Sequence, residues 1–290
     1  MLYFFDFADN GFLFRLCRKA YRYKVTRSVI CRFFSTRQPK KLVFLLGCYN
    51  SGTTITQRLI ASHPSISTLP VEGAAYTSYL NEPGDLGWMR MWYNCREYVE
   101  KKDLKEPELA GKIMSDWSPW IPPGVDVLLE KSITHLLRID WLHRNFPNSY
   151  FIGIHRNGYC VAEGILRRGK PKGLAADKMD AYPIELAGKQ WAEANAILAD
   201  AVDRLPRLLL FKYEDFVSGP VDILGKIYAF LDLSQPYMTS SEKGIVIEKA
   251  EFEMRNMNPA SLSRLGKTDF EKLRAVPEFH AMMRRLGYEN

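Results

Sequence analysis

The hydrophobic pattern of this chain changes at Pro39. Beyond it, Leu42-Val43-Phe44-Leu45-Leu46 is an apolar run of strand length with no polar residue at alternate positions. A strand exposed on one face would alternate, so the run predicts a strand buried on both faces. Gly47 ends it. Thr53 to Ser62 then predicts a helix with Ile55, Leu59 and Ile60 on one side, closed by His63-Pro64. Further strands are expected at 125–130, 150–155 and 207–211. Helices are expected over 134–145, 159–168, 184–203, 221–231 and 269–286. The stretch 81–124 is loop-rich, with a helix expected from about Trp88 to Lys101. Strands alternating with helices predict an α/β fold: a single domain with a mostly parallel sheet flanked by helices, and ligands at the strands' C-terminal ends.

Before Pro39 the pattern is aromatic and basic together. Phe14, Cys17, Tyr21, Val25 and Val29 recur at helical spacing, with Arg15, Arg18, Lys19 and Arg22 on other faces. Residues 1–38 therefore form an extension to a domain at 39–290. Two readings of the extension stay open: a helix packed on the domain, or a helix lying peripherally on an anionic membrane surface.

Charge sharpens that division. Of the formal +7, the segment Met1–Lys41 holds +8, and the rest of the chain is −1. The basic balance is thus no argument for nucleic-acid binding, and no nucleic acid is expected as a partner. Cys17, Cys31, Cys48, Cys95 and Cys160 are odd in number and form no CxxC pair, which argues against disulfides and a structural zinc. A cytoplasmic protein is expected, touching the inner membrane surface if at all.

One segment carries specific chemistry. Gly47-Cys48-Tyr49-Asn50-Ser51-Gly52-Thr53-Thr54 has the spacing of a nucleotide-binding P-loop, GxxxxGK[ST], with Thr53 in place of the lysine. The glycines let backbone N–H groups turn toward an anion, and the helix beginning at Thr53 adds its positive end. The cation that reaches the β/γ-phosphates is missing. Such a loop suits a 5′-phosphate-like group and is poorly equipped to hydrolyse a triphosphate.

Ser51-Gly52-Thr53-Thr54, followed by a helix ending in His63-Pro64, resembles the 5′-phosphosulfate loop of sulfotransferases that use 3′-phosphoadenosine 5′-phosphosulfate (PAPS). The likeness is to the bacterial and Golgi-type branch that includes tyrosylprotein and heparan enzymes. Glu130-Lys131-Ser132, Tyr150 to Arg156, Lys212-Tyr213-Glu214-Asp215-Phe216, the Asn258 to Arg264 stretch and Leu286-Gly287-Tyr288 resemble further family segments in family order. The resemblance covers residues 41–288. It implies PAPS as co-substrate, adenosine 3′,5′-bisphosphate as product, no metal, and a hydroxyl-bearing acceptor. A carbohydrate or glycolipid acceptor is expected by analogy alone. Two other readings stay open: a P-loop kinase or NTPase, and a nucleotide-binding member of the fold without activity.

The resemblance also assigns roles. Glu72 falls where relatives place a catalytic base, and Lys131 where the sulfuryl group or substrate is contacted. Asn50, Ser51, Gly52, Thr53 and Thr54 would hold the 5′-phosphosulfate, and Arg156 the 3′-phosphate. Arg264 belongs to the C-terminal donor-binding pattern. An arginine directly after a buried strand is costly unless it faces a crevice or a partner, which supports the Arg156 assignment independently. Two positions depart from the family: Asn50, where many members have Lys or Arg, and Gly164, where many have serine. Arg167 and Arg168, one turn beyond Gly164, could replace the lost phosphate contact. His63 and His155 have no acidic or cysteine partner at ligand spacing, and both are expected to be structural.

Overall fold

The computed structural model describes residues 19–21, 23–100 and 108–289. Its centre is a sheet of β1 (Lys41–Gly47), β2 (Ile66–Thr68), β3 (Val127–Glu130), β4 (Ser149–His155) and β5 (Leu208–Lys212). The order is β2-β3-β1-β4-β5, and every neighbouring pair is parallel. After β1 the chain builds toward one edge through β2 and β3. It then crosses to the other side for β4 and β5, so the order reverses around β1, the place where open parallel sheets bind ligands.

The unbroken apolar run of β1 has a simple cause. Leu42, Phe44 and Leu46 face one core, with Leu128, Phe151 and Trp191. Val43 and Leu45 face another, with Leu59, Ile60, Ile152, Leu224 and Ile227. All five β1 side chains are at most 4% exposed, each worth roughly 1.5–3 kcal/mol of burial. The covering helices include α2 (Thr53–Ile60), α6 (Gly158–Arg168), α7 (Ile184–Ala201) and α9 (Pro220–Phe230), close to the expected spans.

Elsewhere the structure corrects the sequence reading. No continuous helix spans 88–100. Trp88 to Trp92 is irregular, a 3-10 turn covers Tyr93–Cys95, and α3 (Arg96–Glu100) is a single short helix. The Gln190 side chain takes the Tyr93 N–H at 3.1 Å and donates to the Arg90 carbonyl at 3.0 Å, replacing the partners a helix would supply. The helix expected over 134–145 begins as a 3-10 turn at Ile133–Arg138 before α5 (Ile139–Asn145). The C-terminal helix is two, α11 (Lys267–Arg274) and α12 (Pro277–Arg285), because Pro277 has no N–H with which to continue the first. Not foreseen were β2, the helices α4 (Leu109–Trp117), α8 (Tyr213–Ser218) and α10 (Asn258–Leu262), and an antiparallel sheet of β6 (Met238–Ser241), β7 (Gly244–Ile247) and β8 (Ala250–Glu253).

Before β1, α1 (Lys24–Cys31) packs beside α4. Tyr21 is fully buried and donates its hydroxyl to the Asp116 carbonyl. Arg27 is 3% exposed, with Nε 3.2 Å from Asp116 Oδ2. Tyr23, Val25, Val29 and Phe33 are exposed instead. The predicted apolar stripe is therefore split, with Tyr21 inward and both valines outward. Phe14 and Cys17 lie outside the described residues. No helix among the described residues is long and apolar enough to cross a membrane.

Candidate active site

A cleft of about 560 Å³ opens over the C-terminal ends of the central strands. Its floor is the loop after β1. Gly52 has φ 98°, and a Cβ there would stand 2.6 Å from the Tyr213 ring, so only glycine fits. Asn50, also left-handed at φ 65°, turns the chain into α2. The first N–H groups of that helix have no intrahelical acceptor and face the cleft from Thr53, Thr54 and Ile55.

Arg156 follows β4 and is 7% exposed. Its Nη1 donates to the Asn50 carbonyl at 2.7 Å, its Nε to Asn258 Oδ1 at 2.9 Å, and its guanidinium lies 4.2 Å over the Tyr213 ring. Asn258 Nδ2 in turn donates to Glu214 Oε1 at 2.7 Å, and the Tyr288 hydroxyl to Glu214 Oε2 at 2.8 Å. The C-terminal segments singled out in the sequence thus hold Arg156 in place. Arg156 Nη2 is buried without a partner, as are both amide atoms of Asn50. Buried polar atoms are nearly always paired, so these orphans in the cleft point to a polar ligand.

The Asn50 amide has a defined neighbour. A Cβ built on Gly164 would come 2.8 Å from Asn50 Cβ and 2.9 Å from its Cγ. The two positions that depart from the resemblance are one packing arrangement, with Asn50 standing in the space that a side chain at 164 would need.

Across the cleft, Glu72 precedes a 3-10 turn at Gly73–Tyr76. Its Oε1 is 2.8 Å from Lys131 Nζ. Both residues are positioned by Glu130, buried at the end of β3. Glu130 Oε1 accepts the Gly73 N–H at 2.7 Å and the Ser132 hydroxyl at 2.6 Å, while Oε2 is 2.6 Å from His135 Nε2. Burial alone would raise the Glu130 pKa, but His135, Ser132 and the Gly73 N–H outweigh it and hold the carboxyl below its usual range. Glu82 lines the same wall. Burial pushes its pKa up to about 7, opposed by Arg138 and the Thr134 hydroxyl and aided by Glu72.

Of the residues predicted from the sequence, Asn50, Gly52, Thr53, Thr54, Glu72, Lys131, Arg156, Arg167 and Arg168 all reach this cleft. Ser51 and Arg264 do not. Ser51 is 1% exposed beneath the loop, and Arg264 Nη1 lies 3.6 Å from Glu163 Oε1, which also binds Arg167 Nε at 2.7 Å. Glu214, from the Lys212–Phe216 segment, belongs to the Arg156 network. His63 bonds the Ser234 carbonyl at 2.8 Å and His155 the Asn195 side chain at 2.6 Å, both structural contacts. Among the described residues no group of three or more His, Cys, Asp or Glu could hold a metal ion. Sequence reasoning missed Tyr49, Arg58, Glu82 and Arg90. Arg58, one helical turn after Thr54, was findable from spacing; Glu82 and Arg90 lie in irregular chain with no pattern to mark them.

Arg58, Arg90, Lys131, Arg156, Arg167 and Arg168 line the cleft against Glu72 and Glu82 alone, so it suits a multiply charged anion. Comparison with known proteins agrees. Residues 43–237 match a family model described as "Sulfotransferase family". A sulfotransferase from Mycobacterium tuberculosis H37Rv shares the fold, with a TM-score of 0.56 at 13% identity over 91% of this chain and 80% of that one. The sulfotransferase domain from the curacin biosynthetic pathway gives 0.49 at 21% identity, over 87% and 99%. A sulfotransferase from Alicyclobacillus acidocaldarius gives 0.47 at 16%, over 83% and 96%. No curated protein sequence matches.

Proposed function

This chain belongs to the sulfotransferase family, and on that premise we propose that it transfers a sulfuryl group from PAPS to a hydroxyl of a carbohydrate or glycolipid acceptor. The observation that carries the donor reading is the pair of buried, unpartnered groups, Arg156 Nη2 and the Asn50 amide, beside a lysine-less phosphate loop. The residues fit that nucleotide: the α2 N-terminus for the 5′-phosphosulfate, and Arg156 with Arg167 and Arg168 for the 3′-phosphate. When bound, PAPS supplies an activated sulfuryl group, whose S–O bond to the 5′-phosphate breaks as the bond from sulfur to the acceptor oxygen forms.

Glu72 takes the acceptor proton. Its 2.8 Å contact with Lys131 holds the carboxylate in place and aims the ammonium at the cleft, where it can meet charge on the departing phosphate oxygen. Thr53 stands where a triphosphatase needs a lysine, which disfavours the kinase or NTPase reading. We extend the proposal to organisation and location. The chain divides into an extension, 1–38, and a catalytic domain, 39–290. In a cytoplasmic setting, the exposed Tyr23, Val25, Val29 and Phe33, with the segment's basic charge, would touch an anionic membrane surface peripherally.

The test is transfer itself. Labelled PAPS is incubated with the protein and extracts of the source organism, with and without EDTA, and the labelled product is identified. Protein-dependent labelling of a hydroxyl, unaffected by EDTA, is expected. Labelling from γ-labelled ATP instead would reverse the reading.

A further inference from the structure

Three of the six cations in the cleft already have partners. Lys131 pairs with Glu72, Arg167 with Glu163, and Arg156 with Asn50 and Asn258. Arg58, Arg90 and Arg168 have no carboxylate within salt-bridge distance among the described residues. Arg58 and Arg168 are exposed on helix surfaces, whereas Arg90 is half-buried.

Arg90 is held in an unusual way. Its backbone has φ 63°, a left-handed conformation costing an L-residue roughly 1–2 kcal/mol. The surroundings impose it. Gln190 Nε2 binds the Arg90 carbonyl at 3.0 Å, the Tyr182 hydroxyl binds the Met89 carbonyl at 3.1 Å, and Trp88 bridges to Pro171. Strain of this kind persists only where neighbours over-determine it, and it gathers at functional sites. The result aims the guanidinium back over the phosphate loop, 5.8 Å from the centre of the Tyr49 ring.

The groups around Arg90 lie on two sides. Toward the donor end, Arg168 has its pKa lowered by burial and then by Arg167, Arg90 and Arg156. Toward the other wall, burial followed by Glu82 and Glu72 raises the Tyr49 hydroxyl pKa, and Arg90 opposes them. Arg90 therefore stands at the seam between the cationic and acidic walls, over the ring of Tyr49, the residue before neutral Asn50. A group passing from a donor on one wall to an acceptor on the other must cross that seam.

We propose that Arg90 binds the oxygens of the sulfuryl group during its transfer, supplying the charge that Asn50 lacks. This rests on the donor reading above. The guanidinium fork matches two sulfuryl oxygens, which stay negative throughout, and a carboxylate partner would have neutralised it.

The test needs no acceptor. Affinities of the full-length protein for PAPS and for adenosine 3′,5′-bisphosphate, which lacks the sulfuryl group, are measured by equilibrium binding for wild type, Arg90→Lys, Arg90→Gln and Arg90→Gly. A charged hydrogen bond is worth about 1.5–3 kcal/mol, so the Gln and Gly variants should lose roughly tenfold or more in PAPS affinity. Affinity for the bisphosphate should move by less than about threefold, and Arg90→Lys should keep most of the preference. The melting temperature of Arg90→Gly should not fall, since glycine accepts the left-handed backbone. If both affinities fall together, or neither falls, Arg90 is a structural residue and the proposal is overturned. Wild-type protein that binds neither nucleotide overturns the donor reading as well.

Discussion

The two walls of the cleft are built differently. The cationic wall is mounted on strand ends: the phosphate loop after β1, Arg156 after β4, and Tyr213 after β5. The acidic wall hangs from short turns, with Glu72 before one 3-10 turn and Glu82 before another. Parallel strands and their following helices fix the backbone of the anion site, and the Asn258, Glu214 and Tyr288 network fixes the Arg156 side chain on it. The turns need individual tethers: Glu130 to Gly73, Trp117 Nε1 to the Gly73 carbonyl at 3.0 Å, and Gln190 to Arg90 and Tyr93. A group common to every catalytic cycle belongs on the first kind of support, and recognition of one particular acceptor belongs on the second.

The largest expected effect comes from cutting the buried tether beneath the acidic wall. Glu130→Gln removes the charge that His135, Ser132 and Gly73 surround, and should destabilise the protein by about 3–5 kcal/mol at neutral pH. The folded-state pKa of Glu130 is depressed. Its contribution is therefore full above the unfolded carboxyl pKa of about 4.3 and is lost as pH falls through the lower folded value. Denaturation of wild type and variant across pH should show a gap that closes only in acid. Protein that remains folded should still bind adenosine 3′,5′-bisphosphate, because the cationic wall does not depend on this tether.

Glu72→Gln acts on the acidic wall alone. Turnover on the acceptor identified by labelling should fall about 10²-fold or more, the usual scale for losing a general base, with donor binding nearly intact. Turnover within a few-fold of wild type would leave Glu72 a loop residue that merely pairs with Lys131.

A smaller effect tests how tightly the cationic wall is packed. Gly164→Ser places a Cβ 2.8 Å from Asn50 Cβ and should cost on the order of 1 kcal/mol of stability, together with some donor affinity. Pairing it with Asn50→Gly, which empties that space and accepts φ 65°, should restore the stability. Thermal melts of the two single variants and the double variant check this. Simple additivity would mean that the two positions are not coupled.

The contrast between the walls also explains what the sequence revealed. Strands β1 and β4 and helices α2, α6 and α7 were legible because burial on two faces, or on one helical stripe, leaves a period in the residues. Arg156 was legible because a charge at the end of a buried strand needs a reason. Trp88, Met91 and Trp92 are at most 5% exposed yet follow no period, since each is buried by a different neighbour, and they suggested a helix that does not form. The β6 to β8 strands are four residues each: β6 and β8 bury no residue, and in β7 the alternation of buried Ile245 and Ile247 is hidden by the equally apolar Val246 between them. Arg90 and Glu82 acquire their roles only through tertiary contacts with segments about 50–100 residues away, which no local pattern encodes.

The central claim is that the cationic wall was built for a nucleotide bearing a 3′-phosphate. Calorimetric titration of the full-length protein with adenosine 3′,5′-bisphosphate and with 5′-AMP, repeated on Arg156→Ala, tests it most directly. The bisphosphate should bind at least about tenfold more tightly, as expected for one added charge-assisted contact, and the preference should largely vanish in the variant. Equal affinities for the two nucleotides in the wild-type protein would contradict the account.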